Sequence, residues 1–141
     1  MNNRVVAIWP KSLTDTHALV WHLFNPARLG LKAIAAFQEV QQGQAVLIVP
    51  LVVIAEMAMV VEKGRVSAAM DQFQAVIAQM QSSTNYQINA LTLPLVLAAI
   101  RLTQIADIFD RLIVAETQAV NAKLITVDSE IAGSGIVPVV W

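Results

Sequence analysis

The sequence predicts an α/β protein built on a mainly parallel sheet. Short apolar runs rich in Val and Ile alternate with longer segments in which apolar residues recur at helical spacing. This alternation is typical of a parallel sheet covered by helices. The 141 residues, 57% of them hydrophobic, suffice for one domain with its own core. No linker or internal repeat divides the chain, so we expect a single domain over residues 1–141.

The positions of the elements follow from the same patterns. The predicted strands lie within residues 5–14 and at 45–49, 86–90, 124–127 and 136–140. The predicted helices span about residues 16–24, 29–42, 51–63, 66–80, 93–102 and 109–121. Gly43 and Gly64 follow two of these helices, as glycine commonly does at a helix C-terminus, and Pro50 can open the third helix. Pro10 and Pro138 limit pairing in the first and last strands, so we expect the last to be an edge strand.

Composition excludes several kinds of site. The sequence contains no Cys, which rules out disulfides, thiolate metal sites and a Cys nucleophile. The two histidines, His17 and His22, lie five positions apart and point away from each other on a helix, which disfavours a His-based zinc site. Nine basic and ten acidic residues give a net charge of −1, so no bulk positive field attracts nucleic acid. No Gly-rich phosphate loop of the usual spacing occurs.

No segment has the character of a membrane anchor or a secretion signal. The apolar stretches at residues 45–55 and 93–100 are shorter than the roughly 20 residues that span a bilayer, and each contains a Pro. Residues 1–10 lack the basic and apolar regions of a signal peptide. We therefore expect a cytoplasmic protein with no membrane partner.

Only 13% of the residues are charged, against roughly 25% in an average soluble domain, so the placement of the acids is informative. Asp15 and Asp128 each follow a predicted strand, where open α/β sheets place ligand-binding groups. Asp107 and Asp110 stand at a helix start. Structural roles are open for all four acids: Asp15 and Asp107 can cap helices, and Asp110 can be the acid at the third position of a helix. Asp107 can also pair with Arg111, and Asp128 can form an Asx-turn.

Glu56 is the acid that is hardest to explain by stability. It lies in the middle of helix 51–63, which is apolar nearly all round and which we expect to be buried. An isolated buried carboxylate is costly, so Glu56 either takes up a proton or meets a cation. That cation is a bound metal ion or, as the structural alternative, Lys32 or Arg101. Glu62, on the same helix, is expected to face solvent.

Two hydroxyls neighbour these acids in the sequence. Thr16 and Thr126 are candidates for hydrogen bonds that orient a carboxylate, and the alternatives are helix capping for Thr16 and strand propensity for Thr126. His17 and Trp21, four residues apart, are expected to form a packed pair on the first helix.

Several carboxylates at the edge of a parallel sheet form an all-oxygen site that suits Mg²⁺ or Mn²⁺. One or two such ions can activate water and stabilise the oxygens of a phosphodiester during its hydrolysis. The candidate chemistry is therefore metal-dependent cleavage of a phosphodiester.

Four segments also carry a family resemblance. They are T-D-T-H-A-L-V-W at 14–21, P-L-V-V-I-A-E at 50–56, D-I-F-D-R-L-I-V-A-E-T at 107–117 and L-I-T-V-D at 124–128. In order and spacing they resemble the PIN-domain ribonucleases of the VapC toxin type, over nearly the whole chain. The resemblance implies a three-layer α/β/α sandwich and endonucleolytic RNA cleavage that depends on Mg²⁺ or Mn²⁺. It also implies a homodimer and inhibition by an antitoxin protein.

The acidic quartet of this family falls on four residues of the sequence: Asp15, Glu56, Asp110 and Asp128. Asp107 matches a further acid that often precedes the third. The resemblance implies metal ligation by Asp15, Asp107 and Asp110, and coordination of a water or a second metal by Glu56 and Asp128. Arg111 matches a family position as well, and either meets a phosphate or pairs with Asp107.

Two other functions remain open at this level. A PIN-fold module with weak or no turnover would act by binding a protein partner through its apolar surface. A phosphatase of another α/β type would need an Asp nucleophile in a D-x-D motif, and none follows the first strand.

Overall fold

The computed structural model describes residues 9–66 and 69–141 and contains a five-stranded sheet. Its strands are β1 (Lys11–Thr14), β2 (Val46–Pro50), β3 (Tyr86–Asn89), β4 (Lys123–Ile125) and β5 (Val139–Val140). Every pairing between neighbouring strands is parallel. The predicted parallel sheet is therefore confirmed, with β5 at one edge as expected. Residues 5–8 of the first predicted strand lie outside the described residues.

Helices flank the sheet to form a three-layer α/β/α sandwich. They are α1 (Thr16–Phe24), α2 (Leu31–Gln41), α3 (Leu51–Glu62), α4 (Met70–Ser82), α5 (Leu93–Ile100), α6 (Ile108–Ala119) and α7 (Ser129–Ser134). A short 3₁₀ turn, Pro26–Arg28, precedes α2. The sequence patterns predicted the first six helices and missed α7, because six residues are too few to show a helical period.

The strands β1 and β4 lie where the chain reverses the direction in which it adds strands to the sheet. The order is β3-β2-β1-β4-β5, so β1 is central. The chain builds outward from β1 through β2 to β3, then crosses back to place β4 on the other side of β1. Thr14 of β1 pairs with Ile125 of β4, so the residues that follow these two strands emerge side by side. Ligand sites of open α/β sheets lie at such switch points.

The core lies between the sheet and the inner faces of the helices. All five residues of β2 are buried, as are Leu13 of β1 and Leu124 of β4. Phe37 of α2 and Met57 of α3 are among the largest fully buried side chains that pack with them. Burial of each such side chain contributes about 1.5–3 kcal/mol relative to its exposure to water.

Helix α3 is not buried on all sides, and this expectation from its composition was wrong. Val53, Met57 and Val61 face the core, whereas Leu51 and Met59 are exposed. A helix in the outer layer of a sandwich has the sheet on one side only, and hydrophobic residues all round its surface do not change that geometry.

The structure confirms the prediction that Gly43 and Gly64 follow the C-terminal ends of two helices. Gly43 and Gly64 follow α2 and α3 with φ of 72° and 66°, a left-handed conformation that glycine adopts without steric cost. Within the described ranges 9–66 and 69–141, no helix is long and apolar enough to cross a membrane.

Gly30 sits against Trp141 so closely that a side chain has no room. A Cβ at this position would lie 2.6 Å from the backbone carbonyl carbon of Trp141. We expect Gly30→Ala to lower stability by about 1–3 kcal/mol, as overpacking does, and so to lower Tm in a thermal melt. Gly133→Ala is the matched control, because a Cβ there meets nothing within 4 Å. Equal melting temperatures for the two variants would contradict the prediction.

Candidate active site

Asp15 lies where β1 ends and α1 begins, at the switch point of the sheet. Its Oδ1 accepts a hydrogen bond from the backbone N–H of Ala18 at 2.9 Å, which caps α1. Its Oδ2 accepts a hydrogen bond from the hydroxyl of Thr126. The backbone N–H of Asp15 donates to the carbonyl of Ile125 at 3.2 Å. The side chain therefore accepts two hydrogen bonds, the backbone donates a third, and the residue is buried.

Thr126 connects the two acids that follow β1 and β4. It is buried, and its Oγ1 donates to Asp15 and accepts the backbone N–H of Asp128 at 3.0 Å. The alternative that strand propensity alone explains this residue is not supported, because both hydrogen-bonding functions of the hydroxyl are used to position acids.

Asp128 and Asp107 each cap a helix. Asp128 Oδ1 accepts the N–H of Ile131 at 3.0 Å and begins α7, so it caps a helix rather than closing an isolated Asx-turn. Asp107 Oδ1 accepts the N–H groups of Phe109 at 2.8 Å and Asp110 at 3.1 Å and begins α6. The proposed cap role of Asp107 is thus observed, and the cap leaves its second carboxylate oxygen free of hydrogen bonds within the described residues.

Glu56 is held by Thr16, and no basic side chain of the described residues forms an ion pair with it. The hydroxyl of Thr16 donates to Glu56 Oε1 at 2.7 Å, a contact that joins α1 to α3. The alternative partners, Lys32 and Arg101, form no ion pair with Glu56 in the described part of the chain. Glu56 is partly buried rather than enclosed, because α3 has an exposed side.

The acids are close enough to raise one another's proton affinity. Burial is the largest cause that raises the pKa of Asp110 from 3.8 to about 7, and the charges of the neighbouring acids are the others, namely Asp107, Asp128, Glu56 and Asp15. The pKa of Asp15 is also raised, chiefly by burial, although the hydrogen bonds from Thr126 and Ala18 and the charge of His17 lower it. When neighbouring carboxylates are negative and no cation offsets their charge, one acid of the set keeps its proton to a higher pH. Such raised pKa values are common at functional sites.

No Lys or Arg in the described ranges forms an ion pair with these acids, and the ion pair observed there is Lys123 to Glu39 at 3.9 Å. The expected pairing of Arg111 with Asp107 is wrong. The guanidinium of Arg111 instead donates from Nε to the backbone carbonyl of Ile105 at 2.5 Å, which holds the loop before α6. Within the described residues, the negative charge of the site is therefore not offset by an ion pair.

The donor atoms suit a hard divalent cation such as Mg²⁺ or Mn²⁺. Every candidate ligand is a carboxylate oxygen, and the mutual repulsion that raises the pKa of Asp110 would be relieved by a bound cation. Among residues 9–66 and 69–141, no three acidic or His side chains are already arranged as a metal site. The charge and chemistry of the residues fit a metal ion, and their oxygens would have to come closer together to bind one.

The fold and the site together define a class of protein: a parallel α/β sandwich with a cluster of acids at the carboxyl edge of its central strands. A family model of the PIN domain matches residues 12–133. The chain belongs to the PIN domain family. No curated protein sequence matches it.

Solved structures with this fold include a toxin–antitoxin complex. The chain is similar to VapBC2 from Rickettsia felis, crystallised with a DNA fragment from its promoter: TM-score 0.69, 18% identity, 93% of this chain and 98% of that chain covered. It is similar to a toxin–antitoxin complex from Klebsiella pneumoniae: TM-score 0.62, 20% identity, coverage 92% and 96%. FitAcB from Neisseria gonorrhoeae has a TM-score of 0.63 at 13% identity, with coverage 91% and 95%.

Sequence reasoning assigned no role to Glu116 of α6, which is 4% exposed. The sequence pattern could have predicted that Glu116 is buried, because it lies on the same helix face as Leu112 and Ile113. An acid on that face has to lie among apolar side chains.

The raised pKa of Asp110 predicts a pH dependence of stability in the metal-free protein. The folded state keeps this proton up to a pH of about 7, whereas the unfolded chain loses it near 3.8. The contribution of Asp110 to stability is therefore greatest at low pH and falls between these values. With chelator present, we expect Asp110→Asn to melt a few degrees above the wild type at pH 8 and to show little gain at pH 4.

Asp71→Asn on the exposed start of α4 is the control for this measurement. It should show no such difference between the two pH values. An Asp110→Asn protein that melts below the wild type at pH 8 would contradict the electrostatic account.

Proposed function

We propose that this protein is a metal-dependent endoribonuclease and the toxin of a toxin–antitoxin pair. The observation that carries the proposal is the cluster of acids around Asp110, which raise its pKa and have no Lys or Arg paired with them in the described residues. Such a cluster lowers stability, so a structural role alone does not account for it. Membership of the PIN domain family, whose members are nucleases, supports the same reaction class.

The residues that would hold the metal are Asp15, Asp110 and Asp128, with Asp107 through its free oxygen. A bound Mg²⁺ or Mn²⁺ supplies Lewis acidity and a water made acidic enough to lose a proton near neutral pH. Three of these acids use one oxygen for a helix cap. The cap fixes each carboxylate through that one oxygen.

The protein's own groups position the reaction. Thr126 holds Asp15 and the backbone of Asp128, and Thr16 holds Glu56. Oε2 of Glu56 accepts no hydrogen bond within the described residues, so it is the atom available to take a proton from the attacking water. The N-termini of α1 and α6 lie beside the acids, where their N–H groups favour an anionic phosphate.

An antitoxin and a second copy of the chain are the proposed protein partners. The neighbouring structures include a VapBC assembly and a toxin–antitoxin complex. The exposed apolar side chains of this chain, among them Leu31, Leu51 and Met59, are consistent with surfaces that a partner covers.

Substitution of the acids is expected to abolish cleavage. Asp15→Asn, Asp110→Asn and Asp128→Asn each remove a charged ligand, and we expect less than about 1% of wild-type activity on RNA with Mg²⁺ or Mn²⁺. Glu56→Gln should lower the rate with little change in metal binding. Gel assays on structured RNA, with DNA of the same sequence as comparison, measure both cleavage and substrate class. Wild-type protein that cuts no RNA with either metal would overturn the proposal.

Thr126→Val tests the hydroxyl that positions the acids. The substitution keeps shape and removes both hydrogen bonds, so we expect a 10- to 100-fold loss of activity, as for other groups that orient metal ligands. Thr103→Val, at an exposed position in the loop before α6, is the matched control. Equal activity of the two variants would show that the hydroxyl of Thr126 has no part in the reaction.

Metal binding should depend on pH. Because Asp110 keeps its proton up to a pH of about 7, a cation has to displace that proton to bind. We expect Mn²⁺ affinity, measured by calorimetry, to rise from pH 6 to pH 8 and to fall at least tenfold in Asp15→Asn. If the protein binds no metal but binds a protein partner tightly, the result would instead favour a binding module that lacks turnover.

A further inference from the structure

A pocket of about 510 Å³ lies between α1 and α3, beside the acidic site. The two helices are joined next to the acids, where the hydroxyl of Thr16 donates to Glu56 at 2.7 Å. Val20 and Val60, each four residues further along its helix, line the pocket. Four residues are about 6 Å of helix. The pocket therefore begins about one helical turn from an acid of the proposed active site.

Two aromatic side chains of α1, Trp21 and Phe24, form part of the inner wall of this pocket, and both are half-buried. The ring of Trp21 packs against the rings of His17 and Trp141, with centroids 5.8 and 5.7 Å away. These contacts hold the indole in place. Fixed aromatic side chains at a surface are the groups on which the bases of single-stranded nucleic acids stack.

The rim of the pocket is basic. Arg28 and Arg65 both line it and are exposed, and neither forms an ion pair within the described residues. The guanidinium carbon of Arg28 lies 4.4 Å from the centroid of the Trp21 ring. This stacking restricts the side chain of Arg28, so it loses less conformational freedom when it binds an anion. A guanidinium group binds phosphate through paired hydrogen bonds.

The charge of the whole chain makes such a local basic site necessary for an RNA substrate. The net charge of −1 provides no general attraction for a polyanion, and the acids of the site repel phosphate. An apolar protein segment in the pocket would leave both guanidinium groups without a partner. A single strand of RNA supplies a base for the aromatic wall and phosphates for the rim, so RNA fits the pocket better.

We propose that this pocket binds one nucleotide of a single-stranded RNA segment close to the scissile bond. The base packs against Trp21 and Phe24, and Arg28 and Arg65 bind the phosphates on either side of it. The inference rests on the proposed nuclease function, because it assigns where the substrate of that reaction is held. The pocket extends from His17 to Phe24, about 10 Å along α1. The bound nucleotide is therefore within a few nucleotides of the bond that is cut.

Fluorescence anisotropy of an end-labelled single-stranded RNA, with the whole protein and chelator, measures binding without cleavage. We expect the double variant Arg28→Gln/Arg65→Gln to raise Kd at least about tenfold. The slope of log Kd against log salt should fall by about 1.4, because each phosphate contact to a single strand contributes about 0.7. Phe24→Leu keeps an apolar side chain without a ring and should raise Kd at least about fivefold, as loss of base stacking does.

The double variant Lys32→Gln/Arg101→Gln is the matched control. It removes the same two positive charges from exposed positions on α2 and at the end of α5, and neither residue lines the pocket. Its Kd for RNA should stay within about twofold of the wild type. Circular dichroism melts check that Phe24→Leu, which alters a half-buried side chain, still folds. The arginine variants replace exposed side chains and give the result without that complication.

Steady-state cleavage with Mn²⁺ separates binding from chemistry. The Arg28→Gln/Arg65→Gln protein should show a KM raised by about the same factor as Kd. Its kcat on saturating RNA should stay within about threefold of the wild type. A contact made equally in the bound substrate and in the transition state changes KM and leaves kcat unchanged. A fall in kcat at unchanged KM would contradict the assignment of these arginines to substrate binding.

The inference is overturned by a wild type that binds no single-stranded RNA, or by equal losses of RNA affinity in the pocket variant and its control. It is also overturned if the pocket variants keep their RNA affinity and lose only binding to a protein partner. Failure of the nuclease proposal gives a different result: RNA binding that depends on the pocket, with no cleavage by either metal. Cleavage with a wild-type KM in the arginine variant would retain the nuclease and reject the pocket.

Discussion

The hydrogen bond from Thr126 to Asp15 is the contact on which the acidic site depends. It links residues 111 positions apart in the chain, and they meet because β4 pairs with β1 on the side opposite β2. The same hydroxyl accepts the N–H of Asp128. One buried side chain thus sets the relative positions of two acids, and the crossover of the chain at the central strand makes that possible.

Helix capping and acid placement are the same structural feature in this protein. Asp15, Asp107 and Asp128 each begin a helix by accepting backbone N–H groups. The capping and the functional interpretations of these residues are therefore compatible, because a cap uses one carboxylate oxygen and holds the other in place. The helices in turn point their N-termini toward the acids, which partly offsets the repulsion among them.

Among the few acids of this chain, two on α6 have raised pKa values because they are buried. Two acids with raised pKa values, Asp110 and Glu116, lie on the same helix at different distances along it. Asp110 is raised by burial and by surrounding acids, and Glu116 by burial alone. The first belongs to a cluster with the electrostatics of a cation site, and the second stands alone beside an apolar surface. Burial is therefore the main cause of both raised pKa values, and neighbouring acids add to it only at Asp110.

The sequence by itself determined the parallel sheet, six of the helices, the glycine-terminated helix ends and the acids that lie at strand and helix boundaries. These follow from local periodicity and from the energetic cost of acids in apolar segments. Tertiary structure alone decided that α3 and α5 expose apolar faces, that Arg111 binds a carbonyl rather than Asp107, and that Thr126 holds Asp15. Each of these depends on which distant segment lies alongside, and local sequence patterns carry no record of that neighbour.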